Sequence, residues 1–597
     1  MKRETVWIMM LLTMVGLFEF GSAFAAERPA WVQRSDRLAV PVLEAQLMDQ
    51  PEFLSFAGTP GADKRIVDWK PDRERRYQAQ LQRARRALVI ALRTERSAEV
   101  RRDIAALIAS VENGLHISRA LEKGQRPWID APLRVFQGMQ SLLFDQIPLE
   151  RRALAASRLR LYLGEAGSTS LFEDVKNRYE EANGQNLVHP SAAEVQQAID
   201  RALLYVQGIR ASCARHGLVE CTALVPELEV QVTAHRAWLE NHVLPQARHA
   251  PLPRNLYEAH LRRAGVDISP EELIGLARQG FHDVQQQMQT VAVEVAVARG
   301  WPERDYRAVF KRLKADRVLD EDVVTHYQTV MREIDATIQR ERIVTLPAHA
   351  VTMRLGTLAE SAAQPAPQFF PAPLFGNTDG AGQFVLPMAN PGQGAQERYD
   401  DFSFRAAAWA LAAHEGHPGH GLQFARFAEI QLPMARTVLT FNSVNAEGWA
   451  LYAEAEMLPH QPPEARLATL QFRLLRAARA FLDPQIQLGQ MTREEAELVL
   501  REDVGVSAPM ARQELDRYEF KMVGQAPSYF YGFHRMMRIR KLAEDSLGMH
   551  FDRLVFNDFV IHQGMASPDV LEKAVREKYV QDASPANGKE TGSSLMQ

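Results

Sequence analysis

The chain has 597 residues, of which 46% are hydrophobic and 24% are charged. This length and composition are typical of a protein that buries a large core, and they exclude both an intrinsically disordered chain and a membrane-embedded one. The formal net charge is −4, so electrostatics favours neither nucleic acid nor an anionic membrane as a partner. We expect a mainly α-helical protein with one or two helical lobes.

Residues 1–25 have the features of a signal peptide. Lys2 and Arg3 precede an apolar run at 6–18, and the motif Ala-Phe-Ala at 23–25 is a small-x-small cleavage site. The segment predicts a periplasmic or secreted protein with no stable membrane insertion after signal removal. The alternative is an uncleaved anchor, which the short, glycine-interrupted run disfavours. Because no cysteine lies near the cleavage site, a lipoprotein is also disfavoured.

Cys213 and Cys221 are the only cysteines in the chain. In the oxidising compartment that the signal peptide predicts, two cysteines this close in sequence favour a disulfide that closes a short loop. A metal site at this pair is the weaker interpretation, since neither a second cysteine pair nor a histidine pair accompanies it. We therefore predict a disulfide.

Residues 26–250 are predicted to be a helical scaffold. Apolar residues recur at spacings of three and four among Arg and Glu in 73–93 and 97–121, which is the pattern of amphipathic helices. Ser191 followed by Glu194 predicts a helix start with a capping box. The Arg-rich clusters of this region alternate with acidic residues, which favours solvated helix faces over a nucleic-acid surface.

Residues 251–580 are predicted to form a second region. Its helices continue to about 341, and short strand-like segments and loops follow. Pro365 to Pro373 is predicted to be an ordered loop, and the tail 581–597, rich in Ser, Gly, Asn and Lys, is predicted to be disordered. A small β-sheet is expected from short runs of β-branched and apolar residues bounded by turn signals. Its predicted strands are 343–346, 351–355 and 383–386.

The segment 414–420, His-Glu-Gly-His-Pro-Gly-His, places three imidazoles and a carboxylate within seven residues. A catalytic zinc takes three protein ligands, usually His and Glu, and a neighbouring carboxylate accepts a proton from the zinc-bound water. In the common motif two histidines at i and i+4 share one helix face. Position 418 is Pro here, so His414 must pair with His417 or with His420.

The choice between His417 and His420 depends on the shape of the helix. On an undistorted helix, His417 lies ~60° from His414, whereas His420 lies ~120° away and ~9 Å further along the axis. Only a bent helix brings His420 back, and Pro418 between two glycines supplies a bend. We predict a bulged helix with His414 and His420 as ligands, and His417 in contact with the substrate.

The third ligand is predicted to be Glu447, with Glu454 as the alternative. The two carboxylates are seven residues apart and therefore lie on one face of a single helix. Glu447 is nearer the helix start, and Glu454 would then orient a ligating histidine. Glu415, next to His414, is the predicted general base, and His and Glu ligands suit Zn²⁺.

The pattern His-Glu-x-x-Pro-Gly-His, with Glu-Gly-Trp-Ala-Leu-Tyr-Ala-Glu at 447–454, resembles a bacterial family known as domain of unknown function 885. The resemblance extends over about 250–575 and includes matches at Gln525, Tyr529 and Arg540. That family is grouped with the gluzincin metallopeptidases. The resemblance therefore implies that 251–580 is a gluzincin-like catalytic region with a deep cleft.

The resemblance also implies roles for residues beyond the motif. The sheet is expected next to the zinc helix, where an edge strand pairs with an extended peptide; a strand that merely covers the helix is the alternative. Tyr529 matches a family Tyr and is expected to stabilise the oxyanion, unless it is only a packed aromatic. Gln525 and Arg540 are expected to bind substrate. Arg540 would bind a carboxylate bidentately, or instead pair with an internal acid such as Glu544 or Asp545.

Together these features predict an exported zinc-dependent metallohydrolase that cleaves oligopeptides, with Glu415 as the general base. One alternative is a zinc hydrolase of non-peptide amides or esters, because the metal chemistry does not specify the acyl group. The other is a catalytically inactive helical binding protein. Peptide substrate is the expected partner, and the sequence leaves the oligomeric state open.

Overall fold

The computed structural model describes residues 28–165, 167–182, 186–248, 251–376, 381–389 and 398–580. The predicted signal peptide at 1–25 and the predicted disordered tail at 581–597 lie outside these ranges. Within them, no helix combines the length and apolar character that crossing a membrane requires.

The first half of the described chain is helical, as its amphipathic patterns predict. The predicted helices at 73–93 and 97–121 correspond to α3 and α4. The helices of this part are α1 (Ala30–Asp49), α2 (Pro51–Phe56), α3 (Arg73–Thr94), α4 (Ala98–Gly124), α5 (Ala131–Leu143), α6 (Leu149–Arg152), α7 (Ala155–Leu163), α8 (Leu171–Glu181), α9 (Ala192–Arg215) and α10 (Val219–Trp238).

Helices also dominate the second half. They are α11 (Arg254–Ala264), α12 (Pro270–Ala298), α13 (Tyr306–Leu313), α14 (Val323–Arg340), α15 (Leu358–Ala363), α16 (Ala407–Glu415), α17 (His420–Glu429), α18 (Ser443–Met457), α19 (Pro463–Gln487), α20 (Arg493–Leu498), α21 (Ala508–Asp516), α22 (Ser528–Leu547), α23 (Arg553–His562) and α24 (Pro568–Val575). A π-helical turn at Arg517–Lys521 follows α21.

The small predicted sheet is present and has three strands in the order β1-β3-β2. β1 (Thr352–Leu355) runs parallel to β3 (Gln383–Leu386), and β2 (Gln368–Phe370) runs antiparallel to β3. The sheet lies beside α17. The expectation of a mainly helical protein with a small sheet is confirmed.

Two local predictions around the sheet are wrong. The segment 343–346 is not a strand, because its polar groups are satisfied elsewhere: Ile343 N–H donates to the end of α14, and the Asp558 carboxylate accepts from both N–H and Oγ1 of Thr345. Conversely, β2 lies inside the Pro-rich stretch that predicted a loop. β2 pairs on one side only, so the prolines that flank it cost no ladder hydrogen bond.

Apolar side chains form a larger and a smaller core. The smaller core is built mainly by α5 and α7–α10. The larger core combines α1, α3 and α4 with the helices from α11 onward. The larger core therefore crosses the predicted boundary at residue 250, because helices from both sides of it bury their apolar faces together.

Two predicted local features of the scaffold are present. Ser191 caps α9, and its side chain and that of Glu194 form a capping box. Cys213 and Cys221 are joined by a disulfide at the end of α9 and the start of α10. Both sulfurs are buried in the smaller core.

Candidate functional site

The histidine motif forms a break between two helices rather than the predicted bulge within one. α16 ends at Glu415, and α17 begins at His420. The intervening residues cannot continue the helix because Pro418 lacks an N–H. The Trp449 indole donates to the Pro418 carbonyl at 2.9 Å, which fixes the break against α18.

This break brings His414 and His420 together. Their ring centroids are 4.9 Å apart and their planes are nearly perpendicular. Oε2 of Glu447 lies 3.6 Å from Nε2 of His414 and 3.5 Å from Nε2 of His420. The three ligand atoms all lie within 4.8 Å of one another. The structure thus brings together the three residues predicted as metal ligands.

The donor set of this group fits a divalent metal ion. Two imidazole nitrogens and one carboxylate oxygen are the ligands that catalytic zinc sites use. Oε2 of Glu447 is buried and has no hydrogen-bond partner, and buried carboxylate oxygens are normally paired or coordinate metals. Burial raises the pKa of Glu447, but the two imidazoles outweigh it and hold the pKa well below its usual range.

Glu454 contacts His414 from the opposite side of its ring. His414 Nδ1 donates to Oε1 of Glu454 at 2.8 Å, and Glu454 is fully buried. This hydrogen bond leaves Nε2 of His414 directed toward Glu447. Burial lowers the pKa of His414, but the two glutamates outweigh it and raise the pKa to about 9. Glu454 therefore orients the ring, which is the role expected for it when Glu447 is the predicted ligand.

Glu415 is the last residue of α16 and is buried beside the histidines. Its carboxylate forms no hydrogen bond with any residue in the described ranges. Burial raises its pKa, and the neighbouring His414 and His420 oppose that shift. A buried carboxylate without a fixed partner is available to accept a proton.

Tyr529, on α22, faces the same group. Its ring lies parallel to that of His414, with a centroid distance of 6.1 Å. Two guanidinium groups flank the ring: Cζ of Arg479 lies 4.7 Å from its centroid and Cζ of Arg517 lies 5.1 Å away. Arg517 also donates to the Tyr529 hydroxyl at 3.2 Å. These contacts fix the ring opposite His414.

Gln525 belongs to the network that holds Tyr529. Its Oε1 accepts from Arg517, and its Nε2 donates to the Ser443 hydroxyl at 2.9 Å. Ser443 begins α18, one turn before Glu447. Gln525 therefore connects α18 with the π-helical turn that carries Arg517, and its predicted contact with substrate stays a prediction.

His417 lies outside the group of three ligand atoms. Its Nδ1 contacts Oδ1 of Asp335, on α14, at 2.8 Å, and its Nε2 is buried without a hydrogen-bond partner. The geometry thus favours His420 over His417 beside His414. The predicted contact of His417 with substrate remains untested.

Arg540 is placed away from the metal-ligand group. Its guanidinium pairs with Glu456 and with Glu544, and it donates to the Tyr452 hydroxyl at 3.2 Å. Glu456 is nine residues beyond Glu447 on α18, which corresponds to ~13 Å along the axis. The structure therefore favours the internal ion pair, one of the two alternatives for Arg540, over a substrate carboxylate.

An apolar pocket of about 40 Å³ lies between α17 and the sheet. Phe369 and Phe424 stack across it with ring centroids 6.3 Å apart, and Val351 and Gly421 contribute to its wall. The ring of Phe424 is 6.4 Å from that of His420. An apolar surface therefore begins one turn from a candidate ligand.

Sequence reasoning missed the arginines around Tyr529. Arg473, Arg476 and Arg479 recur every third residue of α19, where every residue from 467 to 484 is buried. Charged residues at this spacing inside an apolar helix indicate buried ion pairs, because buried charges need partners. Arg517, in the π-helical turn, had no comparable signal.

The fold and the site together define a large helical protein with a candidate metal centre at a break between two helices. The chain belongs to the family described as "Bacterial protein of unknown function (DUF885)", whose model matches residues 51–575. The resemblance to this family is thereby confirmed. No curated protein matches the chain.

Two solved structures have a similar fold. A chain from Colwellia psychrerythraea described as a "putative lipoprotein" is 18% identical, with a TM-score of 0.74 and coverage of 92% of this chain and 99% of that one. A chain from Shewanella oneidensis described as a "putative lipoprotein of unknown function" is also 18% identical, with a TM-score of 0.65 and coverage of 91% and 99%. At this identity the similarity establishes the fold alone.

Proposed function

We propose that the protein is a zinc-dependent metallohydrolase that cleaves peptides. The observation that carries the proposal is the convergence of His414, His420 and Glu447, with Glu415 free beside them. Three ligands of this type leave a coordination position for water, as catalytic rather than structural zinc sites do.

Each residue of the site has its own role in the proposed reaction. His414, His420 and Glu447 would hold the ion, which when bound supplies Lewis-acid polarisation of the carbonyl and activation of water. Glu415 accepts a proton from the attacking water and passes it to the leaving amine. Tyr529 donates a hydrogen bond to the developing oxyanion.

The assignment to peptides rests on the resemblance of the family to gluzincin metallopeptidases. The donor set would serve equally for small amides or esters, which therefore belong in the same assay. The edge strands β1 and β2 offer backbone groups with which an extended peptide would pair. Export is part of the proposal. The signal-like segment at 1–25, the disulfide, and the description of both similar structures as lipoproteins support it.

The test compares metal content and hydrolysis in four proteins: native, Glu415→Gln, His420→Ala and His417→Ala. Each is analysed for zinc and incubated with a mixed peptide library and with small amides and esters. We expect about one zinc per native chain and per Glu415→Gln chain. Of these two proteins, only the native one should cleave.

The two histidine variants form a matched pair. His420→Ala should lose both zinc and cleavage, whereas His417→Ala should keep zinc. Loss of zinc only on changing His417 would show that the ligand assignment is wrong. A native chain that takes up no zinc when it is supplied would contradict the proposal and favour a helical binding protein.

A further inference from the structure

Arg473, in the middle of α19, is a buried cation with no hydrogen-bond or ion-pair partner among the described residues. The residue is 9% exposed. Its Nε and Nη2 are enclosed and have no hydrogen-bond partner, and no carboxylate in the described ranges lies within ion-pair distance of it. Its guanidinium packs on the ring of Phe533, whose centroid is 5.0 Å from Cζ.

The neighbouring arginines are bonded, so Arg473 is the exception in its surroundings. Arg479 pairs bidentately with Glu514, at 2.6 and 2.7 Å. Arg476 lies 3.7 Å from Glu454 and donates to the carbonyl of Phe472. An arginine stays charged in proteins, and a buried charge is retained only where it is paired. No residue in the described part of the chain supplies an anion within ion-pair distance of Arg473.

Glu454 does not serve as that anion. It attracts Arg473 electrostatically, but from beyond ion-pair distance. Its Oε1 already accepts from His414 and faces Arg476, and its Oε2 is buried without a hydrogen-bond partner and makes no ion pair with Arg473. One carboxylate thus neutralises at most part of the charge of two arginines, and the guanidinium N–H groups of Arg473 keep their bonding capacity.

Arg473 lies near Tyr529, which faces the candidate ligands, because it packs on the next turn of α22. Phe533 follows Tyr529 by one turn of α22, and both side chains are half-buried. Since Arg473 packs on Phe533, its guanidinium lies ~6 Å further along α22 than the ring that faces His414. That displacement corresponds to about two residues of extended peptide.

The charged side chains around the site indicate which charge a ligand of Arg473 should carry. Four glutamates, namely Glu415, Glu447, Glu454 and Glu514, and four arginines, namely Arg473, Arg476, Arg479 and Arg517, surround it in buried or half-buried positions. Their formal charges cancel. A divalent cation held by His414, His420 and Glu447 would leave an excess of two positive charges, which an anionic ligand reduces.

We propose that Arg473 binds a carboxylate of the substrate, so that the site selects peptides with an anionic group near the cleaved bond. This inference rests on the proposed function and specifies its substrate class. A guanidinium recognises a carboxylate through two parallel N–H···O hydrogen bonds. The carboxylate belongs either to the free C-terminus of a short peptide or to an acidic side chain.

Binding is measured by calorimetry in the zinc-loaded Glu415→Gln chain, which binds without cleaving. The probes are Leu-Phe-Ala with a free carboxylate, the same tripeptide as its amide, and Leu-Phe-Glu amide. We expect at least one anionic peptide to bind 10-fold or more tightly than the neutral amide. Tight binding of the first identifies the C-terminus as the source, and tight binding of the third identifies an acidic side chain.

Arg473→Met is then added to the same background, because Met keeps the contact with Phe533 but removes the charge. It should bind all three probes with the affinity of the amide. Arg538→Met is the matched control, since Arg538 is also an arginine beside α22's Phe533 in sequence but is exposed and bonds to no described residue. It should keep the 10-fold preference.

The melting temperature separates ligand binding from a structural role. If Arg473 serves the ligand, Arg473→Met removes an unpaired buried charge and should melt at the native temperature or above it. A variant that melts lower and keeps the preference for anionic probes would overturn the inference.

The experiments distinguish a wrong role for Arg473 from a wrong proposed function. A native chain that hydrolyses peptides while Arg473→Met keeps the native preference contradicts the role of Arg473 alone. A zinc-loaded chain that neither binds nor hydrolyses any of the three probes contradicts both.

Discussion

Tyr529 has a tightly packed ring and a hydroxyl with a proposed catalytic role. Its ring is held between His414 and two guanidinium groups, so its hydroxyl has a defined position near the candidate ligands. Tyr529→Phe keeps the ring and removes only the hydroxyl. We expect kcat for peptide cleavage to fall ~10²-fold, the usual effect of losing one oxyanion donor, with zinc content unchanged. Unaltered kcat would show that Tyr529 is a packed aromatic.

For Arg540 we expect a substitution to change stability rather than catalysis. Because its guanidinium pairs with Glu456 and Glu544, Arg540→Met would leave the buried Glu456 with only a distant partner in Arg553. We expect the free energy of unfolding to fall by ~1–3 kcal/mol, since the pair is partly exposed, with kcat/KM unchanged. Denaturant unfolding and peptide assays measure the two quantities. A large loss of kcat/KM at native stability would restore Arg540 as a substrate-binding residue.

At the scale of elements, the break between α16 and α17 creates the site. A Cβ at Gly419 would lie 2.0 Å from the His414 carbonyl oxygen and 2.5 Å from that of Ala413. These are backbone atoms, so the break must open to admit a side chain. We expect Gly419→Ala to move His420 away from His414 and to lower zinc affinity at least 10-fold, as measured by competition with a chelator.

Gly275→Ala is the control for this substitution. Gly275 lies within α12, and a Cβ there would meet nothing within 4 Å. Alanine has the higher helix propensity, so this variant should bind zinc normally and be more stable by up to ~1 kcal/mol. Equal zinc affinity in Gly419→Ala and Gly275→Ala would show that the close approach at the break does not position His420.

At the scale of the whole molecule, Asp483 connects α19 with the loop before α22. It is fully buried, and it accepts from the Gly524 N–H at 3.2 Å. Burial raises its pKa from 3.8 to about 8, and the Tyr257 hydroxyl and the Gly524 N–H only partly oppose the shift. The folded chain therefore holds a proton on Asp483 that the unfolded chain releases at neutral pH.

This proton gives stability a defined pH dependence. Stability from a raised pKa is fully present below pH 3.8 and is lost as pH rises toward 8. We expect the free energy of unfolding, relative to that of Asp483→Asn, to fall by ~1.4 kcal/mol per pH unit inside this window. Denaturant unfolding of both proteins at pH 5, 6 and 7 measures the slope. A difference independent of pH would contradict the raised pKa.

Local patterns along the chain were enough to predict the helices, the Ser191 cap, the Cys213–Cys221 pair and two of the strands. Each of these depends on residues close together in sequence: apolar periodicity, a side chain three residues from a backbone N–H, or a short loop. The His-Glu motif and Glu447 were likewise readable, because zinc chemistry restricts the residue types that can serve it.

The tertiary structure decided which groups meet. The motif alone did not distinguish a bulge from a break between two helices, and the separation of His414 from His420 depends on how Trp449 holds Pro418. The sequence leaves Arg540 open to a substrate carboxylate or an internal acid, because a guanidinium binds any carboxylate, and only packing brings Glu456 to it. The isolation of Arg473 and the larger core that joins α1 to α24 also depend on contacts between residues distant in sequence, which local patterns do not encode.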